Sequence, residues 1–369
     1  MSKAICYGMI GCGMMGQEHL RNIALIQGAR VGAIYEPDAG MRAQAAALAP
    51  GARFVESVAA VLADDAVDAL VITSPNHLHL PQLEQIAQVR PRPVLVEKPL
   101  FTDPADLERV RALGLSTPVW VAMEYRYMPP VAALIDAAAQ ATGGINMLTI
   151  REHRFPFLPK VGDWNRFNAQ TGGTLVEKCC HFFDLMRHIL EDDPVRIVAS
   201  GGQDVNHLDE SYDGQTPDIW DNAYVIVDFK RGARAMLELC MFAEGARFQE
   251  EIAAVGPKGK IECLVPGPGR FWPAHLGAPP VPQLIESPRA PKGPRTIEIP
   301  VDPTLLAAGD HNGSTYYQHA RFADVVRGQG TVEVTLEDGT WAVLMGMAAQ
   351  ASAQTGRAMA ISERGFTPI

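Results

Sequence analysis

Short apolar runs separated by amphipathic stretches fill the first third of the chain. Residues 4–10, 30–35, 67–73, 93–97 and 119–123 are short and apolar, and read as strands. Residues 14–27, the Ala-rich 39–48, 80–89 and 104–113 lie between them and read as helices. Strands alternating with helices of this size predict an α/β fold with a parallel, doubly wound sheet.

The pattern changes after Glu124. A helix near 130–140 precedes a long strand at 146–155, a polar and aromatic loop at 157–170, and a helix at 173–190. Apolar and polar residues then alternate over 224–229, 235–240, 248–255 and 260–264, which suits an antiparallel sheet with one face covered. The Pro-rich stretch 264–303 reads as irregular chain, and helices at 315–327 and 336–355 follow. The expected organisation is a first domain over 1–124 and a second over 125–369.

Composition narrows the function classes. The chain has 369 residues, 47% hydrophobic and 20% charged, enough for a sizeable core. A net charge of −10 argues against nucleic acid and anionic membrane as partners. No apolar stretch has the length of a membrane span, and the first residues do not read as a signal peptide. Cys6, Cys12, Cys179, Cys180, Cys240 and Cys263 have no zinc-type spacing. They are read as reduced thiols of a cytoplasmic protein without a bound metal.

Gly11-Cys12-Gly13-Met14-Met15-Gly16 lies between the first strand and the first helix, where a dinucleotide loop requires it. Gly11 permits the tight turn, Gly13 admits a pyrophosphate, and Gly16 lets the helix pack on the strand. Glu36 ends the second strand, where a carboxylate binds adenine-ribose hydroxyls and repels a 2′-phosphate, so NAD is favoured over NADP. Thr73, Ser74, Pro75 and Asn76 follow another strand at the same sheet edge. His77 and His79 come next; neither is expected to be catalytic, and His79 joins the cofactor set. Glu97-Lys98-Pro99 places a cation at the end of a buried strand, where ligands of open α/β sheets bind.

Gly172-Gly173 opens the second domain's helix, which carries Glu177, His181 and Asp184. At helical spacing these share a face, so a carboxylate one turn away could orient the imidazole as a proton acceptor. A surface ion pair is the alternative reading of the same spacing.

The glycine loop, Ser74-Pro75-Asn76, Glu97-Lys98-Pro99 and the Gly172-Gly173…His181…Asp184 helix occur in one order. This order resembles the glucose–fructose oxidoreductase/inositol dehydrogenase (Gfo/Idh/MocA) family over nearly the whole chain. Tyr125-Arg126-Tyr127 resembles the family's segment at the domain junction. The resemblance implies an N-terminal Rossmann domain, a C-terminal α/β domain with a large open, mostly antiparallel sheet, and NAD(P)-linked oxidation or reduction of a sugar or cyclitol. It implies a homodimer or homotetramer built through that sheet and a cis Lys98–Pro99 bond. Lys98 takes the place of the family's active-site lysine and His181 that of its catalytic histidine. Glu177 stands where many members have aspartate, and Lys178 beside it is unusual.

The resulting catalytic set is Lys98, His181 and Glu177. The cofactor set is Gly11, Gly13, Met14, Met15, Gly16, Glu36, Thr73, Ser74, Pro75, Asn76, His79, Glu97, Lys98 and Tyr125. His181 is expected to act as the base and Lys98 to stabilise the oxyanion, with exchange of these roles the alternative. Arg154, Lys160, Asp163, Trp164 and Asn165 are expected to meet substrate beside Lys98, Glu177 and His181, with His311 reaching in from a later segment. Asp221 and Asn222 are pocket residues or the start of a strand. Alternatives to a dehydrogenase of a polyol, sugar or glycoside are glycoside 3-oxidation with recycled NAD and a non-catalytic NAD- or sugar-sensing regulator.

Overall fold

β1 (Ile5–Ile10) is buried along its length, as a strand covered on both faces must be. The computed structural model to which it belongs describes residues 4–369, so residues 1–3, part of the signal-peptide reading, lie outside it. From β1 the chain alternates α1 (Met14–Ile23), β2 (Ala29–Tyr35), α2 (Ala39–Leu48), β3 (Arg53–Val55) and α3 (Val58–Ala63). It continues with β4 (Ala69–Ile72), α4 (His79–Val89), β5 (Val94–Val96), α5 (Leu107–Arg111) and β6 (Val119–Val121). The six strands are parallel in the order β3-β2-β1-β4-β5-β6. The order reverses between β1 and β4, and such a switch point opens a ligand crevice at the strand carboxyl ends. Gly11 leaves β1 and Thr73 leaves β4 at that edge.

α6 (Pro129–Thr142) packs against the second sheet. There follow β7 (Met147–His153), α7 (Asn168–Thr171), α8 (Thr174–Glu177) and α9 (Cys180–Leu190). Next are β8 (Pro194–Gly202), β9 (Asn222–Phe229), β10 (Arg234–Cys240), β11 (Glu250–Gly256), β12 (Gly259–Val265), β13 (Gln283–Pro288) and β14 (Arg295–Glu298). α10 (Pro303–Ala308), α11 (Ser314–Val326), α12 (Leu336–Thr355), β15 (Met359–Ser362) and β16 (Gly365–Pro368) complete the order. Ten strands form the sheet β14-β13-β12-β11-β7-β10-β9-β8-β15-β16, antiparallel except for the β7–β10 pair. Burial alternates along β10 and β12. One face packs under α6 and α12, while Met147, Tyr224 and Ile226 are exposed.

Three local expectations are corrected. β13 and β14 form inside the Pro-rich stretch, because proline falls only just before β13 (Pro282) and at its last position (Pro288), leaving 283–287 free to pair with β12. β8, β15 and β16 widen the sheet beyond the strands expected. The single helix over 173–190 is two helices: the Cys179 amide reaches back five residues to the Thr174 carbonyl at 3.4 Å, a wide π-type turn. The Lys98–Pro99 bond is cis, as the resemblance implies. Among the described residues all six cysteines are free, and no helix is long and apolar enough to cross a membrane.

Candidate active site

A cleft of about 550 Å³ runs along the carboxyl edge of the parallel sheet. Gly11 adopts φ +89, and a Cβ there would lie 2.8 Å from the Ser74 amide nitrogen. A Cβ on Gly13 would meet nothing within 4 Å, so the cleft stays open over this loop. A Cβ on Gly16 would lie 2.8 Å from Thr73 Oγ1, so glycine is what lets α1 sit against β4's end. Glu36 is buried at the far end of the cleft, accepting from the Cys12 amide at 2.6 Å and the Asp38 amide at 2.9 Å. Arg42, the nearest arginine, donates to the Glu36 carbonyl and to Glu56 instead.

Met14, Met15, Thr73, Ser74, Pro75 and Asn76 also line the cleft. Asn76 Nδ2 is buried there with no partner among the described residues. An open glycine loop, an unpaired amide donor and a carboxylate at the ribose end fit a bound NAD. His79 lies at the cleft wall with its ring nitrogens 2.7 Å from the Pro99 carbonyl and 2.9 Å from that of Ser74. It thereby ties the Ser74 turn to the Lys98-Pro99 turn.

Lys98 lines the inner end of the cleft and donates to the Glu177 carbonyl at 2.9 Å, joining the two domains. Lys160 and Trp164 come from the 157–170 loop to the same cleft. Lys160 Nζ lies 3.1 Å from Glu177 Oε1 and 4.3 Å from the centre of the Trp164 ring. Glu177 Oε2 is buried without a partner. Asp163 stands at φ 51 beside Gly162 at φ 70, shaping the loop. Asn165 is buried and donates to the Leu158 carbonyl at 3.0 Å, bracing the loop from inside.

His181 is buried, stacked at 4.1 Å on Tyr125, and its Nδ1 has no partner. Burial, then the charges of Lys98 and Lys178, hold it well below the ordinary histidine range, so it is neutral at pH 7. Tyr125, expected at the cofactor, supports this imidazole by stacking on it. Its hydroxyl is 2.6 Å from Lys178 Nζ. Lys178 is itself buried, 2.9 Å from Glu152 Oε1. Glu152 and Glu250 are directly opposite on β7 and β11. Burial, then repulsion from Glu152, pushes Glu250 up to about 7. Arg154 lies at this cluster's edge, 3.9 Å from Glu152.

The expected pairing of His181 with a carboxylate of its own helix is not made: a wide turn at Cys179 divides the segment, and neither Glu177 nor Asp184 hydrogen-bonds the imidazole. Asp184 pairs instead with Arg126, accepting from its Nε at 2.7 Å. Asp221 is likewise a brace: it accepts from the amides of Asp204, Val205 and Asn206, while Asn222 begins β9.

His311 is held across the domains. Its Nδ1 is 2.8 Å from Glu18 Oε1 on α1 and 3.6 Å from Glu124. Burial opposes charge on this imidazole, but Glu18 and Glu124 outweigh it and push it up to about 9. Burial raises Glu124 despite the charge of His311. Thr315 Oγ1 lies 2.5 Å from Glu124 Oε2 and 3.0 Å from Glu18 Oε1, tying both carboxyl groups to α11. Glu18, Glu124 and the buried His19 and His319 were not singled out from sequence. Only the position of Glu18 and His19 just beyond the glycine loop pointed to them.

The fold and cleft define a two-domain, dinucleotide-binding oxidoreductase architecture. Residues 5–125 match the oxidoreductase family's NAD-binding Rossmann fold and residues 140–361 its C-terminal alpha/beta domain. The chain belongs to the Gfo/Idh/MocA family, and its first domain is that family's NAD-binding Rossmann fold. It is 32% identical over 190 residues to inositol 2-dehydrogenase of Corynebacterium glutamicum (strain R), covering 50% of this chain and 54% of that one. It is 29% identical over 265 residues to inositol 2-dehydrogenase 2 of Saccharopolyspora erythraea, covering 70% and 73%. The chain spans about half the length of the first curated relatives it matches. The crystal structure of levoglucosan dehydrogenase with NADH and levoglucosan superposes with a TM-score of 0.79 at 18% identity, covering 97% of this chain and 100% of that one. That last likeness is one of fold.

Proposed function

We propose that this protein is an NAD-dependent dehydrogenase moving a hydride between the nicotinamide and a secondary alcohol of a polyhydroxylated ring: a sugar, a cyclitol such as inositol, or a glycoside. One observation carries this. Beside the cofactor cleft, the Lys98 ammonium is tied to the Glu177 carbonyl, and two buried polar atoms of the same helical segment, Glu177 Oε2 and His181 Nδ1, lack partners. Buried polar atoms without partners call for a ligand that can pair with them, and adjacent hydroxyls, which both donate and accept, do so. The inositol 2-dehydrogenases among the relatives support the same substrate class.

NAD supplies the hydride acceptor when bound. Lys98 donates to the reacting hydroxyl oxygen and stabilises negative charge as it develops. His181, neutral and fixed by its stack on Tyr125, takes the proton. Glu177 Oε2 accepts from a neighbouring hydroxyl while Lys160 holds Oε1. Trp164, under the Lys160 ammonium, offers a ring face to the sugar's C–H surface. The exposed Met147, Tyr224 and Ile226 suit pairing of two copies through the open sheet.

The test is incubation with NAD and a panel of cyclitols, sugars and glycosides, followed at the NADH absorbance. Stoichiometric NADH is expected. Conversion without net NADH would favour glycoside oxidation with recycled NAD, and binding without conversion a sensor. Lys98→Ala and His181→Ala should each remove most turnover and leave NAD affinity in place. Near-normal turnover in either variant rejects that residue's role.

A further inference from the structure

Glu97, His19 and His319 come from the end of β5, from α1 and from α11, and all three are buried. His19 Nε2 lies 2.8 Å from Glu97 Oε1, and His19 Nδ1 lies 2.7 Å from His319 Nε2. The other Glu97 oxygen accepts from the Lys98 amide at 3.2 Å. Glu97 and Lys98 both line the cofactor cleft.

The proton inventory of this chain has one arrangement without an orphaned donor. Glu97 is held below the ordinary carboxylate range: burial opposes the charge, and the His19 hydrogen bond, with the charge of Lys98, outweighs it. An ionised Glu97 requires the His19 proton at Nε2. If His19 also carried a proton at Nδ1, His319 would have to accept at Nε2 and keep its own proton at Nδ1. His319 Nδ1 has no partner, so that N–H would be buried and unpaired. With both rings neutral, His319 donates from Nε2 to His19 Nδ1, and His19 donates from Nε2 to Glu97. Burial holds His319 well below the ordinary histidine range, which agrees with a neutral ring.

We propose that His19 and His319 are positioning residues for Lys98. Each fixes the tautomer of the next group in a Glu97–His19–His319 chain that anchors the Glu97-Lys98 turn at the cleft. This rests on the assignment of Lys98 to the chemistry made above. It extends that assignment to two residues that touch neither cofactor nor substrate, one of them in the other domain.

The donor position of His319 supplies the test. A glutamine amide reaches the place of an imidazole Nε2–H, and an asparagine amide does not. In the full chain, His319→Gln should keep kcat within about threefold of the parent, whereas His319→Asn and His319→Phe should lower it on the order of 10- to 100-fold with KM for NAD nearly unchanged. A purely structural role would not separate glutamine from asparagine, so equal kcat in these variants overturns the proposal. In the parent protein, 15N-histidine NMR should show His19 protonated at Nε2 and bare at Nδ1. An imidazolium or the opposite tautomer overturns the proposal even where a variant fails to fold. If Lys98→Ala keeps its turnover, the assignment of Lys98 fails. If Lys98→Ala is inactive and the three His319 variants are alike, the positioning chain alone fails.

Discussion

Replacing His311 by glutamine should cost stability near neutral pH and almost none in alkali. The imidazole is raised from 6.5 to about 9 because Glu18 and Glu124 outweigh the burial that opposes its charge. The folded state therefore binds the proton more tightly than the unfolded chain. The resulting stabilisation is complete below 6.5 and is lost as pH rises through about 9. Its size at full protonation is about 3 kcal/mol, from the width of the shift. Glu18 reports the same pair from its other side. Burial would raise its pKa, but His311 and the donors from Asp310 and Thr315 bring it from 4.5 down to about 2. That contribution is present above 4.5 and disappears as pH falls through about 2. The two shifts describe one interaction and are not added, so the pair stabilises most between 4.5 and 6.5. Urea unfolding of parent and His311→Gln at about pH 6 and about pH 10 reads the difference directly. A gap of about 3 kcal/mol at the lower pH, shrinking to a few tenths at the higher, is expected. A gap of equal size at both would refute the ionised Glu18–His311 pair.

Asp184→Asn should destabilise the protein by about 3–5 kcal/mol, because Arg126 would be left buried with its main counter-charge removed. A lower thermal midpoint with unchanged kcat per folded molecule would mark Asp184 as a brace, and a normal midpoint would contradict the pairing. Glu36→Ala should raise the NAD dissociation constant about 10- to 100-fold through loss of charge-assisted bonds, measured by calorimetry; an unchanged constant would remove Glu36 from the ribose site.

The parallel domain was legible because its signals are local. Apolar runs, helical periods and the Gly11–Gly16 loop each lie within a few residues, and β1, α2 and β4 fall near their expected bounds. β3 escaped because three residues carry no readable alternation. The wide turn at Cys179 escaped because nothing in Glu177-Lys178-Cys179-Cys180 distinguishes a five-residue reach from a four-residue one. That step divides the segment into two helices, and Asp184 pairs with Arg126. Motif order is what brings Lys98, Glu177 and His181 forward as candidates. It does not bring forward Glu18, His19, Glu152 and His319, because their meaning lies in partners that sequence spacing does not reveal. Lys178 shows the difference: beside Cys179 it could have faced solvent, but Glu152 draws it inside.

The two consecutive residues Glu18 and His19 tie α1 to residues 311 and 319, some 293 and 300 positions later. On the ribosome, where N-terminal segments emerge first, the strands and helices of the dinucleotide domain can assemble early. The helix beneath the cofactor loop then still carries the Glu18 carboxylate without His311 and the His19 imidazole with its Nδ1 unpaired, on the side that will be buried. A nascent chain halted before His311 would hold the glycine loop without the clamp behind it. NAD captured by ribosome-bound chains of increasing length should therefore rise late, after the second domain's closing helices have been made, rather than when the first domain is complete.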